Sequence, residues 1–368
     1  MAEATRDSGL YYGDYLMLDR LLSCQKRESV KQGQPAHDEM LFIVIHQTYE
    51  LWFKQILFEL DAVQDIFAAD YVADRDIGQA DHALMRVHEI LKLLVRQVDV
   101  LETMTPLDFL DFRDLLYPAS GFQSAQFRLT ETRLGLVREQ RLPFDRQSFD
   151  ERLSERDRHN VQAQERRGSL ADQIEAWLGR TPFVDFEGWS FESAFRDTVA
   201  NSLEADIDYV RNNPNIDEQQ RAAELERLEG ARSRFDALFD PVAFQAAHTA
   251  GEWRFSREAL QAALFITLYR DEPVLHLPFR LLSRLMDIDE TLSAWRYRHA
   301  LMVERMIGLK LGTGGSSGGA YLRATTEAHR IFNDFFALST YLIPRSELPA
   351  LPESLQSRMG FTYEADDG

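Results

Sequence analysis

The stretch 36–67, AHDEMLFIVIHQTYELWFKQILFELDAVQDIF, is the most apolar in the chain and decides the fold. Helical spacing places four of its side chains on one face: Phe42, His46, Tyr49 and Phe53. Because the stretch is apolar nearly all round, we expect a helix at the centre of the protein. His46 is then expected inside, where an imidazole needs a hydrogen-bond partner or a ligand. The alternative is a core histidine whose hydrogen bonds are satisfied by its neighbours.

A second helical pattern leads into a glycine-rich segment at 295–323, WRYRHALMVERMIGLKLGTGGSSGGAYLR. We expect Asp287 or Asp289 to cap the start of this helix, with Pro273 and Pro278 interrupting the chain before it. The positions that share a face with His299 are mostly large and apolar: Trp295, Arg296, Met302, Val303 and Met306. The glycine-rich part, 312–319, can close over a ligand and offer it backbone N–H groups. A core histidine followed by a surface linker is the alternative.

Composition and pattern indicate an all-α protein. The chain has 368 residues, of which 45% are hydrophobic and 27% are charged, as in globular proteins. Helical spacing recurs along the chain, and convincing alternating segments are absent. We therefore predict a single all-helical bundle over 1–368. The strongly charged stretch from about 140 to 240 is predicted to form a helical arm on its surface.

Charge and cysteine content exclude several functions. The net charge of −19 argues against nucleic acids and anionic membrane surfaces as partners. The single cysteine, Cys24, excludes an intrachain disulfide and a cysteine metal cluster. No apolar signal core starts the sequence, and no apolar run is long enough for a membrane span. The expected location is the cytoplasm.

A third segment places a cation among apolar side chains. Thr105 is a predicted N-cap and Pro106 the first helical residue, followed by LDFLDFRDLL. Arg113 shares a helical face with Phe109 and Leu116, and its planar guanidinium group suits a carboxylate. The alternative is an internal ion pair with one of the nearby carboxylates of Asp108, Asp111 and Asp114.

The N-terminal segment 10–25 is aromatic, yet a long polar stretch follows it. Tyr11, Tyr12 and Tyr15 stand together near its start. A weakly anchored aromatic segment of this kind docks either on a partner subunit or on its own core.

The residues by themselves leave the chemistry of the site open. Zinc fits poorly, because only two histidines, His46 and His299, lie in suitable settings. The glycine-rich segment lacks the terminal GK[ST] of a phosphate loop, and it follows a helix, whereas the GxSxG elbow of a hydrolase follows a strand. Haem remains possible, since one neutral histidine can hold the iron while helices supply apolar walls.

Long blocks of the sequence closely resemble the tryptophan 2,3-dioxygenase family of haem enzymes. The matching blocks occur in family order and span most of the chain, with only the charged central third matching weakly: YYGDYLMLDRLL, HDEMLFIVIHQTYELWFKQILFELDAV, ILKLLVRQVDVLETMTPLDFLDFRDLLYPASGFQSAQFR, WRYRHALMVERMIGLKLGTGGSSGGAYLR and LSTYLIPR. The resemblance implies a helical bundle that encloses haem b, ferrous in the active state. It also implies a homotetramer.

The resemblance implies a role for each matching position. His299 in WRYRH would be the proximal haem ligand, and His46 in FIVIH would lie near the indole N–H of the substrate, as the catalytic residue. Arg113 would pair with the substrate carboxylate, and Thr313 would contact its ammonium and carboxylate groups. The remaining residues implied at the substrate site are Phe42, Ile43, Val44, Ile45, Phe109, Leu116, Ser120 and Gly121, together with Tyr12 and Tyr15 from a neighbouring subunit. Some relatives have tyrosine at the position of Phe109.

The activity implied is cleavage of the indole 2,3 bond of L-tryptophan with O2, which gives N-formyl-L-kynurenine and begins the kynurenine pathway. The cofactor would carry the difficult step, and the protein would orient the substrate. Two alternatives remain at this point. One is a related haem enzyme that oxygenates tryptophan, or hydroxylates tyrosine, without cleaving a ring; the other is a non-catalytic helical scaffold or haem sensor.

Overall fold

The computed structural model of the protein describes residues 9–142, 153–308 and 318–361. The all-α prediction is confirmed, since the regular structure of these ranges is almost entirely helical. The one sheet described is a two-residue antiparallel hairpin of β1 (Asp185–Phe186) and β2 (Trp189–Ser190). No helix in the described ranges is long and apolar enough to cross a membrane.

The first half of the chain folds into short N-terminal helices and a central antiparallel pair. In chain order its helices are α1 (Tyr12–Tyr15), α2 (Leu18–Leu21), α3 (Glu28–Lys31), α4 (Glu39–Phe67), α5 (Asp74–Leu101), α6 (Pro106–Arg113), α7 (Ala125–Leu134), α8 (Glu155–Arg167) and α9 (Leu170–Leu178). Three 3-10 turns lie between them, at Asp114–Leu116, Gly121–Gln123 and Arg138–Gln140.

The second half adds a helical hairpin, the longest helix and a set of short closing elements. Its helices are α10 (Phe191–Asn212), α11 (Glu218–Phe239), α12 (Pro241–Thr249), α13 (Arg257–Leu268), α14 (Pro273–Ile307), α15 (Gly318–Ala328), α16 (Asn333–Ala337) and α17 (Glu353–Met359). Two 3-10 turns, Leu338–Tyr341 and Arg345–Glu347, precede α17.

The core is built around α4, α5 and α14. α5 packs against both of the other two helices, and α4 also packs against α7 and α9. The buried residues of α5 recur at helical spacing, as an amphipathic helix between two partners requires: Ile77, Ala80, Leu84, Val87, Leu91, Leu94, Val98 and Leu101. This packing brings the face of α4 that carries His46 and the face of α14 that carries His299 to the same side of the bundle.

The prediction of a separate helix beginning near Asp287 or Asp289 is wrong. α14 begins at Pro273 and continues through Pro278 for 35 residues, about 50 Å. Pro273 occupies the first helical position, where no N–H bond is lost, and Pro278 comes early enough to remove only one bond near the end. Asp289 instead accepts hydrogen bonds from the backbone N–H groups of Ile331 and Phe332, at 3.0 and 3.1 Å.

Much of the charged stretch at 140–240 belongs to the main core. Leu170, Ile174 and Leu178 of α9 are fully buried there, because α9 packs between α4 and α13. The hairpin of α10 and α11 is different in its outer part, which has a small apolar cluster of its own: Ile207, Val210 and Leu228. The description as a surface arm therefore applies to the outer part of the hairpin, and not to the whole stretch 140–240.

Candidate active site

A cavity opens between α4, α6, α7, α14 and α15. Its volume is about 260 Å³. Its walls are largely apolar, and they include Phe42, Tyr49, Phe53, Val98, Leu101, Met104, Phe109, Phe127, Trp295, Met302, Val303, Met306 and Ile307. The polar side chains that reach it include His46, Glu50, Arg113, Ser120, Arg128, Glu131, Arg296, His299 and His329. The cavity therefore joins an apolar chamber with a small number of histidines and charged groups.

One wall comes from α4, where the predicted face of the helix is confirmed. Phe42 and His46 are one turn apart, with their ring centroids 4.1 Å from each other. The Nδ1 atom of His46 lies 2.7 Å from the Phe42 carbonyl oxygen. A carbonyl oxygen only accepts hydrogen bonds, so in this contact Nδ1 carries the proton. In the neutral ring, Nε2 is then left as an acceptor.

Several groups decide whether His46 carries charge. Its edge is open to the cavity, while the protein around it removes most of its contact with bulk water. This burial lowers the pKa of His46, against the opposing effects of the Phe42 carbonyl and the Glu50 carboxylate. The ring is therefore expected to be neutral at pH 7.

The opposite wall comes from α14. The rings of Trp295 and His299, one turn apart, lie parallel, with centroids 5.2 Å apart and an interplanar angle of 4°. Burial, and to a smaller extent the proximity of His46, lowers the pKa of His299 to about 4. The Nδ1 atom of His299 is buried, and no group in the described ranges hydrogen-bonds it. A buried neutral imidazole with a nitrogen lacking a partner is suited to bind a ligand or a metal ion.

A third wall comes from α6 and the turn that follows it. The predicted start of α6 is confirmed, since Thr105 caps it in a capping box with Asp108 and Pro106 follows. The Asp108 carboxylate accepts bonds from the Thr105 N–H and hydroxyl groups, at 2.9 and 2.5 Å. The Phe109 ring stacks on Phe42 at 5.6 Å, and Arg113 reaches the cavity one turn later.

A buried cluster of charges closes the polar end of the cavity. The Glu131 carboxylate lies within 2.6 to 3.1 Å of the guanidinium groups of Arg128, Arg141 and Arg296. Burial alone raises the pKa of Glu131, but the three positive charges outweigh it and hold this pKa well below its ordinary value. His329 completes the cluster, and its Nε2 atom accepts a bond from the Leu142 N–H at 3.3 Å.

The structure brings half of the predicted site residues together in the cavity. The cavity is lined by Phe42, His46, Phe109, Arg113, Ser120, Gly121 and His299. Ile43, Val44 and Ile45, which we also placed at the substrate site, do not line it, because each residue of a helix is turned by about 100° from the one before. Leu116 packs on the core beside the cavity instead of lining it.

Two predicted residues do not line the cavity of a single chain. Tyr12 and Tyr15 lie in the short helix α1, with 70% and 69% of their surface exposed. Thr313 lies outside the described residues, as does most of the glycine-rich segment.

Sequence reasoning missed the charged cluster around Glu131. Arg128 and Glu131 are three residues apart on α7, a spacing that also occurs in surface ion pairs. Arg296 was noted only as a neighbour of His299, and it reaches Glu131 from 165 positions away in the chain. No local signal distinguishes such a buried cluster from a solvated helix face.

Comparison with known proteins identifies the family. The profile described as tryptophan 2,3-dioxygenase matches residues 2–342. The chain is 51% identical to a tryptophan 2,3-dioxygenase of Bdellovibrio bacteriovorus, over 96% of this chain and 99% of that protein. It is 47% identical to the enzyme of that name from Alteromonas mediterranea, over 95% and 97% of the two chains, and 45% identical to that of Xenopus tropicalis, over 97% and 87%. With a cavity flanked by two neutral histidines and an arginine, and with this similarity along nearly its whole length, the chain belongs to the tryptophan 2,3-dioxygenase family.

Proposed function

We propose that the protein is a haem-dependent dioxygenase that cleaves the indole 2,3 bond of L-tryptophan with O2 and yields N-formyl-L-kynurenine, the first step of the kynurenine pathway. The observation that carries this proposal is the convergence of His299, His46 and Arg113 on one largely apolar cavity. Membership of the family supports the same activity.

The residues present fit a haem. The buried Nδ1 atom of His299 has no hydrogen-bond partner in the described ranges, and the ring is neutral, as a ligand to iron must be. The walls beside it are apolar, while the guanidinium groups of Arg128 and Arg296 stand at the polar end, where they suit carboxylates such as those of haem b. When bound in the ferrous state, haem supplies the oxygen chemistry that joins both atoms of O2 to the substrate.

The opposite side of the cavity suits an indole amino acid. Phe42 and Phe109 form an aromatic platform for the indole ring, and the Nε2 atom of neutral His46 can accept its N–H. Arg113 stands beside this platform, where its guanidinium group can pair with the carboxylate. The family pattern assigns Thr313 to the ammonium and carboxylate groups. Held at both ends, tryptophan presents the 2,3 bond in a fixed orientation within a largely apolar chamber.

A homotetramer completes the proposal. The exposed tyrosines of α1, Tyr12 and Tyr15, together with Leu10, Tyr11 and Leu22, form an apolar segment of a kind that is more stable when covered. We assign this segment to the active site of a neighbouring subunit.

Deleting residues 1–16 should raise the KM for tryptophan sharply while haem stays bound. A fully active truncated protein would disprove the exchanged contact, and a monomer in light scattering would disprove the tetramer. The cytoplasmic location stays a prediction.

The decisive experiment is an assay of the haem-loaded protein with L-tryptophan, started by admitting O2 to an anaerobic sample. Growth of the N-formylkynurenine absorbance is expected. A hydroxylated product would point to a related oxygenase instead, and haem binding without turnover would point to a sensor.

A second experiment tests the iron ligand. In His299→Ala, stable haem binding should be lost while the helical circular dichroism signal is retained. An unchanged Soret band would disprove His299 as the iron ligand.

A further inference from the structure

Glu50 links two walls of the cavity. It lies on α4, one turn after His46. The hydroxyl of Ser124 donates to its Oε1 atom at 2.6 Å, and the side-chain amide of Gln126 donates to its Oε2 atom at 2.8 Å. The same amide nitrogen lies 2.8 Å from the Glu50 carbonyl oxygen. Both carboxylate oxygens are therefore engaged by one short segment of the chain, more than 70 positions away.

The partners of Glu50 stand where the third wall turns into α7. Ser124 is the N-cap of α7, and its hydroxyl oxygen also accepts the Phe127 N–H at 3.3 Å. Just before it, Ser120 and Gln123 form a capping box around the 3-10 turn Gly121–Gln123. These local bonds shape the turn, but they do not determine its distance from α4. The bonds to Glu50 join the turn to the helix that carries His46.

We propose that Glu50 is a positioning residue for the substrate: its carboxylate holds the segment 120–127 at a set distance from α4, so that the width of the amino-acid chamber suits the ligand. The role in substrate binding rests on the function proposed above, whereas the mechanical link does not. Ser120, Gly121 and Phe127 line the cavity from the segment, and Phe42 and His46 line it from α4.

A carboxylate suits this link better than an amide does. Two donors approach its two oxygens, and hydrogen bonds to an ionised acceptor are stronger than those to a neutral one. Glu50→Gln keeps the size of the side chain and one acceptor, but it removes the charge and places an amide nitrogen near a donor. The substitution therefore loosens the link without creating a cavity.

The first measurement is backbone hydrogen exchange of the haem-loaded protein, with Glu50→Gln compared with wild type. Exchange within 120–127 should become faster by about 3- to 10-fold, the difference between a charge-assisted hydrogen bond and a neutral one. Asp65→Asn is the matched control, because it removes the same charge from an exposed position about 22 Å further along α4. Its exchange should match that of wild type.

The second measurement separates positioning from general destabilisation. In Glu50→Gln the KM for tryptophan should rise by about 5- to 20-fold while kcat stays within about threefold, since the bonds lost act on binding and not on the reacting atoms. Ser124→Ala should reproduce part of this effect, and adding it to Glu50→Gln should cost less than the two separate losses together.

Unchanged exchange in 120–127 would overturn the link, whatever the substrate of the protein. Faster exchange with unaltered KM would overturn the role in binding, as would an equal fall in activity with Asp65→Asn. A wild-type protein that does not turn over tryptophan would disprove the proposed function, and the exchange measurement would still decide the link.

Discussion

The rings of Trp295 and His299 lie parallel on successive turns of α14, 5.2 Å apart. Trp295 is itself held edge-on by Phe53 and Tyr49, so the stack determines how the imidazole is presented to the cavity. Trp295→Leu should speed the release of haem to a scavenger protein by about 2- to 12-fold. This factor corresponds to the free energy that one aromatic pair contributes. Trp295→Phe should lie close to wild type. Trp253→Leu, which changes a stacked tryptophan elsewhere, is the control, and an equal effect there would refute the orienting role.

The pH dependence of haem binding should follow the lowered pKa of His299. A ring with a pKa of about 4 binds a proton only as the pH falls towards 4, so it stays neutral through the whole range above 5.5. About 3% of such rings are protonated at pH 5.5, against about 90% for an ordinary histidine. Haem affinity should therefore vary by less than about twofold between pH 7.5 and 5.5. A tenfold loss per pH unit below 6.5 would contradict the shift, with circular dichroism at each pH as the test for unfolding.

Arg113 should make the protein select tryptophan, which has a carboxylate, over a similar compound that lacks one. Wild type should strongly prefer tryptophan over tryptamine, which lacks this group. Arg113→Ala should lose on the order of 2–5 kcal/mol of that preference, a factor of at least about 30 in the ratio of kcat/KM values. Arg113→Lys should not restore it, because an ammonium group lacks the planar fork. A ratio equal to that of wild type in Arg113→Ala would mean that Arg113 serves an internal ion pair.

The buried cluster around Glu131 should matter far more for stability than an exposed pair. Glu131→Gln removes the charge shared by Arg128, Arg141 and Arg296 and should lower the free energy of unfolding by about 3–5 kcal/mol. Glu304→Gln, at the exposed pair with Arg323, should cost at most about 1 kcal/mol. Urea unfolding of the haem-free proteins measures both, and equal losses would contradict the difference.

The same cluster predicts a loss of stability in acid. Because the pKa of Glu131 is lower in the folded chain than in the unfolded one, its contribution is present above pH 4.5 and declines as the pH falls below that value. The difference in unfolding free energy between wild type and Glu131→Gln should therefore shrink below pH 4.5.

The sequence by itself determined which residues share a helix face. On α4, the spacing of Phe42, His46, Tyr49 and Phe53 was sufficient to predict the wall that they form in the structure. The neighbours of His299 were also predicted correctly, and so were Thr105 and Pro106 at the start of α6. These features depend on residues within a few positions of each other, because the helical repeat and the capping bonds are local.

Only the tertiary structure decided which faces meet, and where local signals are overruled. Pro278 indicated an interruption, yet α14 passes through it, because the buried leucines on both sides are held by α5 and one lost hydrogen bond near the end costs little. The link from Glu50 to Ser124 and the contact of Arg296 with Glu131 join positions 74 and 165 residues apart. Such contacts depend on how whole helices pack and on closure of the chain between them, and the spacing of residues along one helix carries no information about either.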